Sequence, residues 1–471
     1  MIVLLLLASS FLLTSGLSGQ QPAKALPDAP HRVKPGARLY QASAAIDSQA
    51  PESTAPGKTA ANAASGPELT LAEAEKIALR NNPSIGIAHL LQLGSAQVIR
   101  ESRAGELPSA EANLTAVDAH DNSRLTAGAL NNPVVYNRAA AGVTVRQLIT
   151  DFGRTRSLIK NSQLEARAGV ENERATVQEI TLAVDQAFYQ ALTAQQVLKV
   201  AQETVQARQA TGQQIGALTK QKLRSTLDQS LAEVQISQAQ LLVLDAQNSA
   251  QGAMAQLNAL LGSTSFTEYV LVDETPESPL AAPVNTEDLV QLALKSRPDL
   301  NSLSDQALGA KEFASAEHDL LRPTISALAA AGGTPVRADE IQSSWYGAAG
   351  ANISIPIFNG FEYSARAKEA AFRAQAASQR VRNLEDTIAR DVRQAVLGAQ
   401  TAFQRISVSK QLLNQANTAL ELAQARYQVG LSGIADLTQA QLAQTQAEIG
   451  YTNSRYSYQT ALASVRFATG Q

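Results

Sequence analysis

The side chains that most often hold metals or perform catalysis are few and scattered. The four histidines are His31, His89, His120 and His318, and none has the spacing of metal ligands. Cysteine is absent, which excludes disulfides, thiolate metal sites, a cysteine nucleophile and a lipid-modified N-terminal cysteine. No nucleophile with a neighbouring base, and no carboxylate pair, stands out. The sequence therefore predicts neither an enzyme nor a metal or cofactor site.

One glycine-containing segment is the remaining candidate for ligand chemistry. It reads Gly332-Gly333-Thr334-Pro335. A phosphate-binding loop needs a lysine after its glycines and a helix that begins there. This segment has neither, so we expect a surface turn. The balance of 39 basic and 42 acidic residues also gives no indication of nucleic-acid binding.

The same order of elements occurs twice along the chain. The pairs Asp151–Asn359, Asp185–Arg393 and Asp228–Asp436 are each 208 positions apart. A duplication of this length predicts a pseudo-symmetric architecture. We assign residues 69–272 to a first structural repeat and residues 273–471 to a second. Each contains short helices, a strand pair and a long helical hairpin.

The N-terminal region differs from the repeats. Residues 1–19 are predicted as a signal peptide, because an apolar run from Met1 to Leu13 is followed by small residues. No Lys or Arg precedes the run, so the signal is atypical or the start codon is assigned too far downstream. Residues 20–68 are rich in Ala, Pro and Ser without periodicity, which predicts a flexible linker.

Alternating apolar and polar residues mark four candidate strands. They are Ser109–Val117, Val143–Leu148, Thr324–Ala330 and Asn352–Ile357. The loops 118–137 and 332–342 join the two pairs, and Tyr136, Trp345 and Tyr346 stand at strand ends, as in a membrane interface. The alternation fits a transmembrane barrel wall, but by itself it favours a soluble, half-buried sheet.

Membrane passage would have to use these strands. After the N-terminal region no segment has 18 consecutive apolar residues, so no transmembrane helix is predicted. Four strands cannot close a barrel, and an open sheet edge cannot face lipid because its N–H and C=O groups would be unpaired. Strands that span a membrane would therefore be shared among several chains.

Very long helical patterns follow each strand pair. The segment from Phe152 to Gln213 has no proline and little glycine, which corresponds to ~90 Å of helix. Further helical patterns cover 224–261, 362–429 and 434–468. Apolar residues recur at three- and four-residue spacing, and many are Ala, which lets helices approach closely. The predicted fold is mainly α, with two long antiparallel coiled-coil hairpins and four strands.

Six short motifs occur in a fixed order along the repeats. They are Leu69-Thr70-Leu71-Ala72-Glu73-Ala74, Ala78-Leu79-Arg80-Asn81-Asn82-Pro83, Gln147-Leu148-Ile149-Thr150-Asp151-Phe152-Gly153-Arg154-Thr155, Arg297-Pro298-Asp299-Leu300, Pro356-Ile357-Phe358-Asn359-Gly360 and Arg426-Tyr427-Gln428-Val429-Gly430-Leu431-Ser432. Each motif is weak alone. Together, in a duplicated chain, they resemble the TolC-like outer-membrane efflux proteins from Leu69 to Gln471.

The resemblance implies a homotrimer in which four transmembrane strands per chain close a shared 12-stranded β-barrel. The hairpins would continue as an α-barrel tunnel through the periplasm of a Gram-negative bacterium. Such proteins are passive exit ducts of tripartite efflux pumps. They dock to a periplasmic adaptor (membrane fusion) protein and, through it, to an inner-membrane transporter of the RND or ABC type. Outer-membrane lipid would surround the barrel, and no cofactor or nucleic acid is implied.

Two alternative functions stay open. The first is the outer-membrane component of type I protein secretion, which uses the same kind of duct. The second is a periplasmic coiled-coil adaptor or scaffold. Strand pairs and a full duplication disfavour the second, because an adaptor is expected to carry one hairpin.

The resemblance also implies a tunnel-entrance constriction. Asp436 occupies the position of a family aspartate near the closed tunnel end, and Asp228 is its counterpart in the first repeat. Three-fold symmetry would turn each into a ring of carboxylates that attracts cations. Gln439 stands where some members have a second aspartate, so we expect fewer charges. Without the resemblance, both aspartates are more simply helix-start residues that favour the helix dipole.

Contact with an adaptor is expected at the hairpin tips. In the second repeat the tip residues are Tyr427, Val429, Gly430, Leu431 and Ser432. In the first repeat Lys222 replaces the tip glycine, and Arg224 is one of three basic residues in that turn, with Lys220 and Lys222.

Overall fold

Two long helical hairpins and one four-stranded sheet make up most of the chain. The computed structural model describes residues 66–120, 137–276, 285–337 and 343–471. The predicted signal peptide (1–19), nearly all of the predicted linker (20–68) and Tyr136 lie outside the described residues. The repeat boundaries stay predictions.

Each repeat has the same succession of elements. The first contains α1 (Leu71–Asn81), α2 (Pro83–Ala104), β2 (Ser109–Val117), β3 (Arg138–Thr150), α3 (Arg154–Lys220) and α4 (Thr226–Leu260), preceded by β1 (Glu68–Leu69). The second contains α5 (Thr286–Ser296), α6 (Pro298–His318), β5 (Thr324–Val336), β6 (Trp345–Ser354), α7 (Glu362–Gln428) and α8 (Ile434–Ala468), preceded by β4 (Val270–Leu271). Both α3 and α7 have 67 residues and both α4 and α8 have 35, so the duplication extends to helix length.

The first long helix continues beyond its predicted end. The sequence pattern predicts a helix from Phe152 to Gln213, followed by a short break. Gly212 and Gly216, near that end, each lower helix propensity by about 1 kcal/mol. The helix continues to Lys220 because Ile215 is buried against the second hairpin. Tertiary packing therefore outweighs local propensity.

The four longer strands form one antiparallel sheet in the order β2-β3-β5-β6. The two predicted strand pairs are confirmed, and β3 pairs with β5 to join the repeats. Several boundaries were wrong. The strand β3 extends beyond both predicted ends, to Arg138 and Thr150, and β6 begins at Trp345 rather than at Asn352. The segment Gly332-Gly333-Thr334-Pro335 lies within β5 rather than in a surface turn, and Ile355 and Ile357 lie beyond the end of β6. Glycine- and alanine-rich strands lack the apolar alternation that would have indicated their full length.

The register separates the sheet into a polar and an apolar face, because directly paired residues share a face. The polar face carries Ser109, Glu111, Asn113, Thr115, Arg138, Thr144, Arg146, Ser326, Asn352 and Ser354, together with two leucines, Leu148 and Leu328. The apolar face carries Ala112, Leu114, Val143, Val145, Ala329, Ala331, Trp345, Ala349 and Ile353. Gln147 is a polar exception on the apolar face. Leu114 is 85% exposed. The apolar face is therefore uncovered within the described chain.

The helices are held by two equivalent cores, one per repeat. In the first, Val184, Phe188 and Leu192 of α3 pack with Leu257 of α4. In the second, Val392 and Val396 of α7 pack with partners on α5 and α8. The helix α3 also packs against α6 and α8, which joins the hairpins. The predicted mainly α fold with long antiparallel hairpins and four strands is confirmed.

None of the described helices is both long enough and apolar enough to cross a bilayer.

Candidate functional site at the hairpin tips

The first hairpin turns on a residue with unusual backbone geometry. Lys222 has a φ of +63°, in the left-handed region that costs an L-residue about 1 kcal/mol. The Leu223 N–H donates to Leu218 O at 2.9 Å, which closes the end of α3. Ser225 and Asp228 then form a capping box at the start of α4. The Asp228 N–H donates to Ser225 Oγ at 3.1 Å, and the Ser225 N–H donates to the Asp228 carboxylate at 3.4 Å.

The second hairpin uses the same turn with different side chains. Gly430, with a φ of +78°, replaces Lys222, and the Leu431 N–H donates to Arg426 O at 2.8 Å. Gly433 precedes α8 and offers no side chain to cap it. Asp436 lies in the first turn of α8, as Asp228 does in α4. Because no cap engages its carboxylate, Asp436 acts on this helix end only through its charge.

Arg224 connects the two tips. Its guanidinium Cζ lies 4.2 Å from the centroid of the Tyr427 ring, a cation–π contact. Its Nη2 donates to the Tyr427 backbone oxygen at the end of α7. Burial raises the pKa of the Tyr427 hydroxyl, the charge of Asp228 raises it further, and the charge of Arg224 lowers it. Three predicted site residues, Arg224, Tyr427 and Asp228, therefore lie together.

An apolar cluster lies beneath this contact. Ile215 and Ala232 of the first hairpin pack with Tyr427, Ile434 and Leu437 of the second. Such burial is worth about 1.5–3 kcal/mol for each large side chain. The two tips of one chain are therefore fixed to each other by packing as well as by Arg224.

The other predicted site residues face solvent. Asp436 and Gln439 are exposed on α8, and Lys222 and Gly430 are exposed at the turns. Val429 and Leu431 are 69% and 71% exposed, which is unusual for large apolar side chains. Ser432 is half-buried, and its Oγ has no hydrogen-bond partner among the described residues. The assignment of these residues to an entrance or to an adaptor contact stays a prediction.

Sequence reasoning missed a buried arginine between the hairpins. Arg208 of α3 is 6% exposed, and its Nη2 donates to Thr445 Oγ1 of α8 at 3.2 Å. Burial lowers the pKa of Arg208 to about 10. Its counterpart in the second repeat, 208 positions later, is Ala416, which is also buried. Comparison of the two repeats could have marked this position.

Sequence reasoning also missed a carboxyl pair, and the expectation of none was wrong. Asp185 of α3 is 3% exposed and lies beside Glu75 of α1, in a cavity of about 300 Å³. Burial raises the pKa of Asp185 to about 7, and hydrogen bonding to Glu75 and its charge add to the rise. Arg466 of α8 opposes this, with its Nη2 at 3.1 Å from Asp185 Oδ2. The two acids are 110 positions apart, so no local spacing could reveal them.

The histidines are dispersed in the structure as in the sequence. His89 Nδ1 lies 3.0 Å from Glu173 Oε1, and His318 Nδ1 lies 3.7 Å from Asp319 Oδ1. His31 lies outside the described residues. In the part of the chain that the structure describes, no three His, Asp or Glu side chains are grouped as metal ligands.

Comparison with known proteins identifies the family. Residues 76–263 and 289–471 match the model of the outer membrane efflux protein family. Outer membrane protein TolC of Escherichia coli (strain K12) is 23% identical over 407 residues, 83% of this chain and 80% of that protein. Outer membrane protein OprJ of Pseudomonas aeruginosa is 24% identical over 404 residues, 84% of this chain and 82% of that protein.

The fold is similar to that of solved channels. The Campylobacter jejuni CmeC outer membrane channel superposes with a TM-score of 0.74 at 17% identity, over 85% of each chain. At this identity the likeness supports the fold alone. The family match confirms the relationship predicted from the motifs, and with it the outer-membrane location and the role in efflux. The chain belongs to the outer membrane efflux protein family.

Proposed function

We propose that three copies of this chain form a passive exit duct that carries solutes from the periplasm through the outer membrane. The observation that carries the proposal is the four-stranded sheet, which has one mainly polar face, one apolar face and, among the described residues, no further strand beyond its edges β2 and β6. A lipid-facing sheet must have no free edge, so its edge strands need partners. Three copies supply a closed ring of about 12 strands, within the range of outer-membrane barrels.

The dimensions of the elements support this duct. Strands β3 and β5 each have 13 residues, or ~43 Å, which exceeds the ~30 Å hydrocarbon core. Helices α3 and α7 each have 67 residues, or ~100 Å. A ring of three hairpin pairs therefore makes a tunnel that extends well beyond the membrane into the periplasm.

The tips are the proposed contact with a periplasmic adaptor, and through it with an inner-membrane transporter of the RND or ABC type. Their exposed apolar side chains, Leu223, Leu227, Val429 and Leu431, support this, because exposed apolar patches mark interaction surfaces. The duct itself does no chemistry. Export of proteins in a type I system would use the same surfaces and is the second candidate function.

Asp436 is proposed to supply the negative charge of the tunnel entrance. Asp228 contributes less, because its carboxylate and its N–H are already hydrogen-bonded to Ser225. Three carboxylates brought close by the symmetry repel each other and attract cations. Gln439, one turn further along α8, is uncharged and adds no second ring of carboxylates. A cation that enters this ring would slow the passage of other ions.

The first experiment tests the duct. We expect the protein to be extracted from outer-membrane fractions as a heat-modifiable species with three times the mass of one chain, and to form channels in planar bilayers. A monomer that stays soluble without detergent would contradict the duct and favour the adaptor or scaffold alternative.

The second experiment tests the entrance in the same bilayers. Asp436→Asn should weaken block by divalent cations several-fold, about tenfold for a loss of 1.4 kcal/mol in cation affinity. Gln439→Asp should strengthen the block. Glu421→Gln, a neutralisation at an exposed position of α7, is the matched control and should change nothing. Unchanged conductance and block in Asp436→Asn would remove Asp436 from the entrance.

A further inference from the structure

One row of the sheet has an unusual composition. Across the four strands, Asn113 of β2 pairs with Gly142 of β3, Gly142 with Gly332 of β5, and Gly332 with Tyr346 of β6. All four positions lie on the polar face, because directly paired residues share a face. Tyr346 therefore has Gly332 beside it on the next strand and Gly142 on the strand after that.

The Tyr346 side chain lies across both glycines. A Cβ added to Gly332 would lie 2.5 Å from Tyr346 Cζ and Oη, and one added to Gly142 would lie 2.9 Å from Tyr346 Cζ. Carbon atoms normally approach to about 3.5–4.0 Å. The ring therefore occupies the space that ordinary side chains on β5 and β3 would fill.

The backbone does not require glycine at these two positions. Neither Gly142 nor Gly332 has a positive φ, whereas five other glycines in the described part of the chain do. Glycine inside a strand weakens the strand and often marks a close approach of other atoms. At Gly332 that approach includes the Ala141 backbone oxygen as well as the ring. At Gly142 the nearest group is the tyrosine hydroxyl, and the nearest backbone atom, the Ala331 oxygen, would lie 3.0 Å from the added Cβ. Gly142 is therefore the less restricted of the two positions at which to test the ring.

We propose that Gly142 and Gly332 form a recess that holds the Tyr346 ring flat against the wall of the duct and thereby keeps the pore wide. The proposal rests on the proposed function, because it requires the polar face to line the lumen. Tyr346 lies at the end of β6 away from α7, so three symmetry-related rings surround the pore near its outer end. Without the recess, each ring would have to project into the lumen.

The test is single-channel recording of the purified protein in planar bilayers, with uncharged polymers of graded size added on the barrel side. The largest polymer that enters reports the pore width at the outer end, whereas conductance without polymer is set by the narrower entrance at the hairpin tips.

Gly142→Ala should lower the mass of the largest polymer that enters about twofold, because the displaced rings narrow the pore. The double variant Gly142→Ala/Tyr346→Ala should restore the wild-type limit, since no ring is left to displace. Gly350→Ala is the matched control: Gly350 lies on the same face of β6, and a Cβ there meets nothing within 4 Å. Its polymer limit should equal that of the wild type.

Tyr346→Ala alone keeps the test valid if Gly142→Ala fails to assemble. A ring that lies flat in a recess obstructs little, so its removal should change the polymer limit by less than about a fifth. A large increase would show that the ring projects into the pore and would overturn the inference. A wild-type polymer limit in an assembled Gly142→Ala channel would also overturn it. In both cases the wild-type channel still conducts, so the proposed duct stands; a wild-type protein that forms no channel would instead refute the duct.

Discussion

The two hairpin tips have the same backbone conformation, but most of the side chains that contact or cap that backbone differ between them. Lys222 and Gly430 occupy the same left-handed position, 208 positions apart, and the same two hydrogen bonds close each turn. Ser225 caps α4, whereas Gly433 leaves α8 uncapped. The duplication has therefore preserved the geometry of the hairpin while its chemistry has diverged. Symmetry of fold does not imply symmetry of function.

A stronger divergence occurs in the middle of the long helices. Asp185 is buried between Glu75 and Arg466, and its counterpart Arg393 is half-exposed and binds Glu287, with Nη2 3.1 Å from Oε2. The same position thus holds a buried acid in α3 and an exposed base in α7. Because a buried charge costs more free energy than an exposed one, we expect the position of Asp185 to tolerate substitution far less than the position of Arg393.

The largest expected effect comes from exchanging these two charges. Asp185→Arg places a cation in a buried site beside Arg466, at a cost of about 3–5 kcal/mol. Arg393→Asp changes an exposed pair and should cost less than about 1 kcal/mol. Heat-modifiable assembly in membrane fractions and the thermal midpoint in detergent would measure both. If both exchanges lower assembly and the thermal midpoint equally, then the burial of Asp185 does not make its position less tolerant of substitution than that of Arg393.

The sequence predicted the elements well and their contacts poorly. Helical periodicity identified α3, α4, α7 and α8, and alternation located all four long strands. Strand ends were missed where Gly and Ala replace larger apolar residues, as in Gly332. Periodicity reports which face of an element is apolar, and a residue without a large side chain contributes little to it.

The candidate site was predicted only in part, and the family resemblance supplied most of it. The motif around Gly430 marked the turn, but the contact of Arg224 with Tyr427 joins residues 203 positions apart. The Asp185–Glu75 pair likewise joins residues that are far apart in the sequence. Local spacing cannot reveal contacts between distant helices. Repeat positions of unlike charge, such as Asp185 and Arg393, are the one signal in the sequence that points to them.

The second prediction concerns pH. The folded-state pKa of Asp185, about 7, is above its ordinary value of 3.8, so folding takes up a proton. The associated stability is fully present below the ordinary pKa and is lost as pH rises through about 7. We expect the α1–α3–α8 junction to weaken by about 2 kcal/mol between pH 5 and pH 8.5, allowing for solvent screening.

Hydrogen exchange of the α1 amides, followed against pH, measures this weakening. The groups that act on Asp185 are Glu75 on α1 and Arg466 on α8. Its charge in turn acts on Tyr189 of α3, which Asp273 after β4 also influences. Asp185→Asn should flatten the pH dependence, and Arg393→Gln should leave it intact. A profile that keeps its slope in Asp185→Asn would assign the proton to another of these groups.

The third prediction compares the left-handed turn residues. Gly430→Val introduces a strained, β-branched residue at a φ of +78° and should destabilise that turn by about 1–2 kcal/mol. Lys222→Gly removes strain and should be neutral or stabilising by up to about 1 kcal/mol. We expect Gly430→Val to weaken cross-linking to an adaptor while trimers persist, and Lys222→Gly to keep both. Normal adaptor cross-linking of Gly430→Val would exclude this turn from the contact.

The smallest expected effect lies in the helix caps. Ser225→Ala removes the hydroxyl that accepts the Asp228 N–H, at a cost of about 1 kcal/mol to the start of α4. The backbone N–H of residue 225, which donates to the Asp228 carboxylate, stays in place, so only the hydroxyl half of the capping box is lost. Gly433→Ser should gain only a few tenths of a kcal/mol, because glycine is already a tolerable cap. Exchange rates of the first-turn amides of α4 and α8 would report both changes. If Ser225→Ala also strengthens cation block in bilayers, the order that this hydroxyl gives to the first turn of α4 limits how far Asp228 reaches the entrance, and Asp228 is an entrance residue beside Asp436.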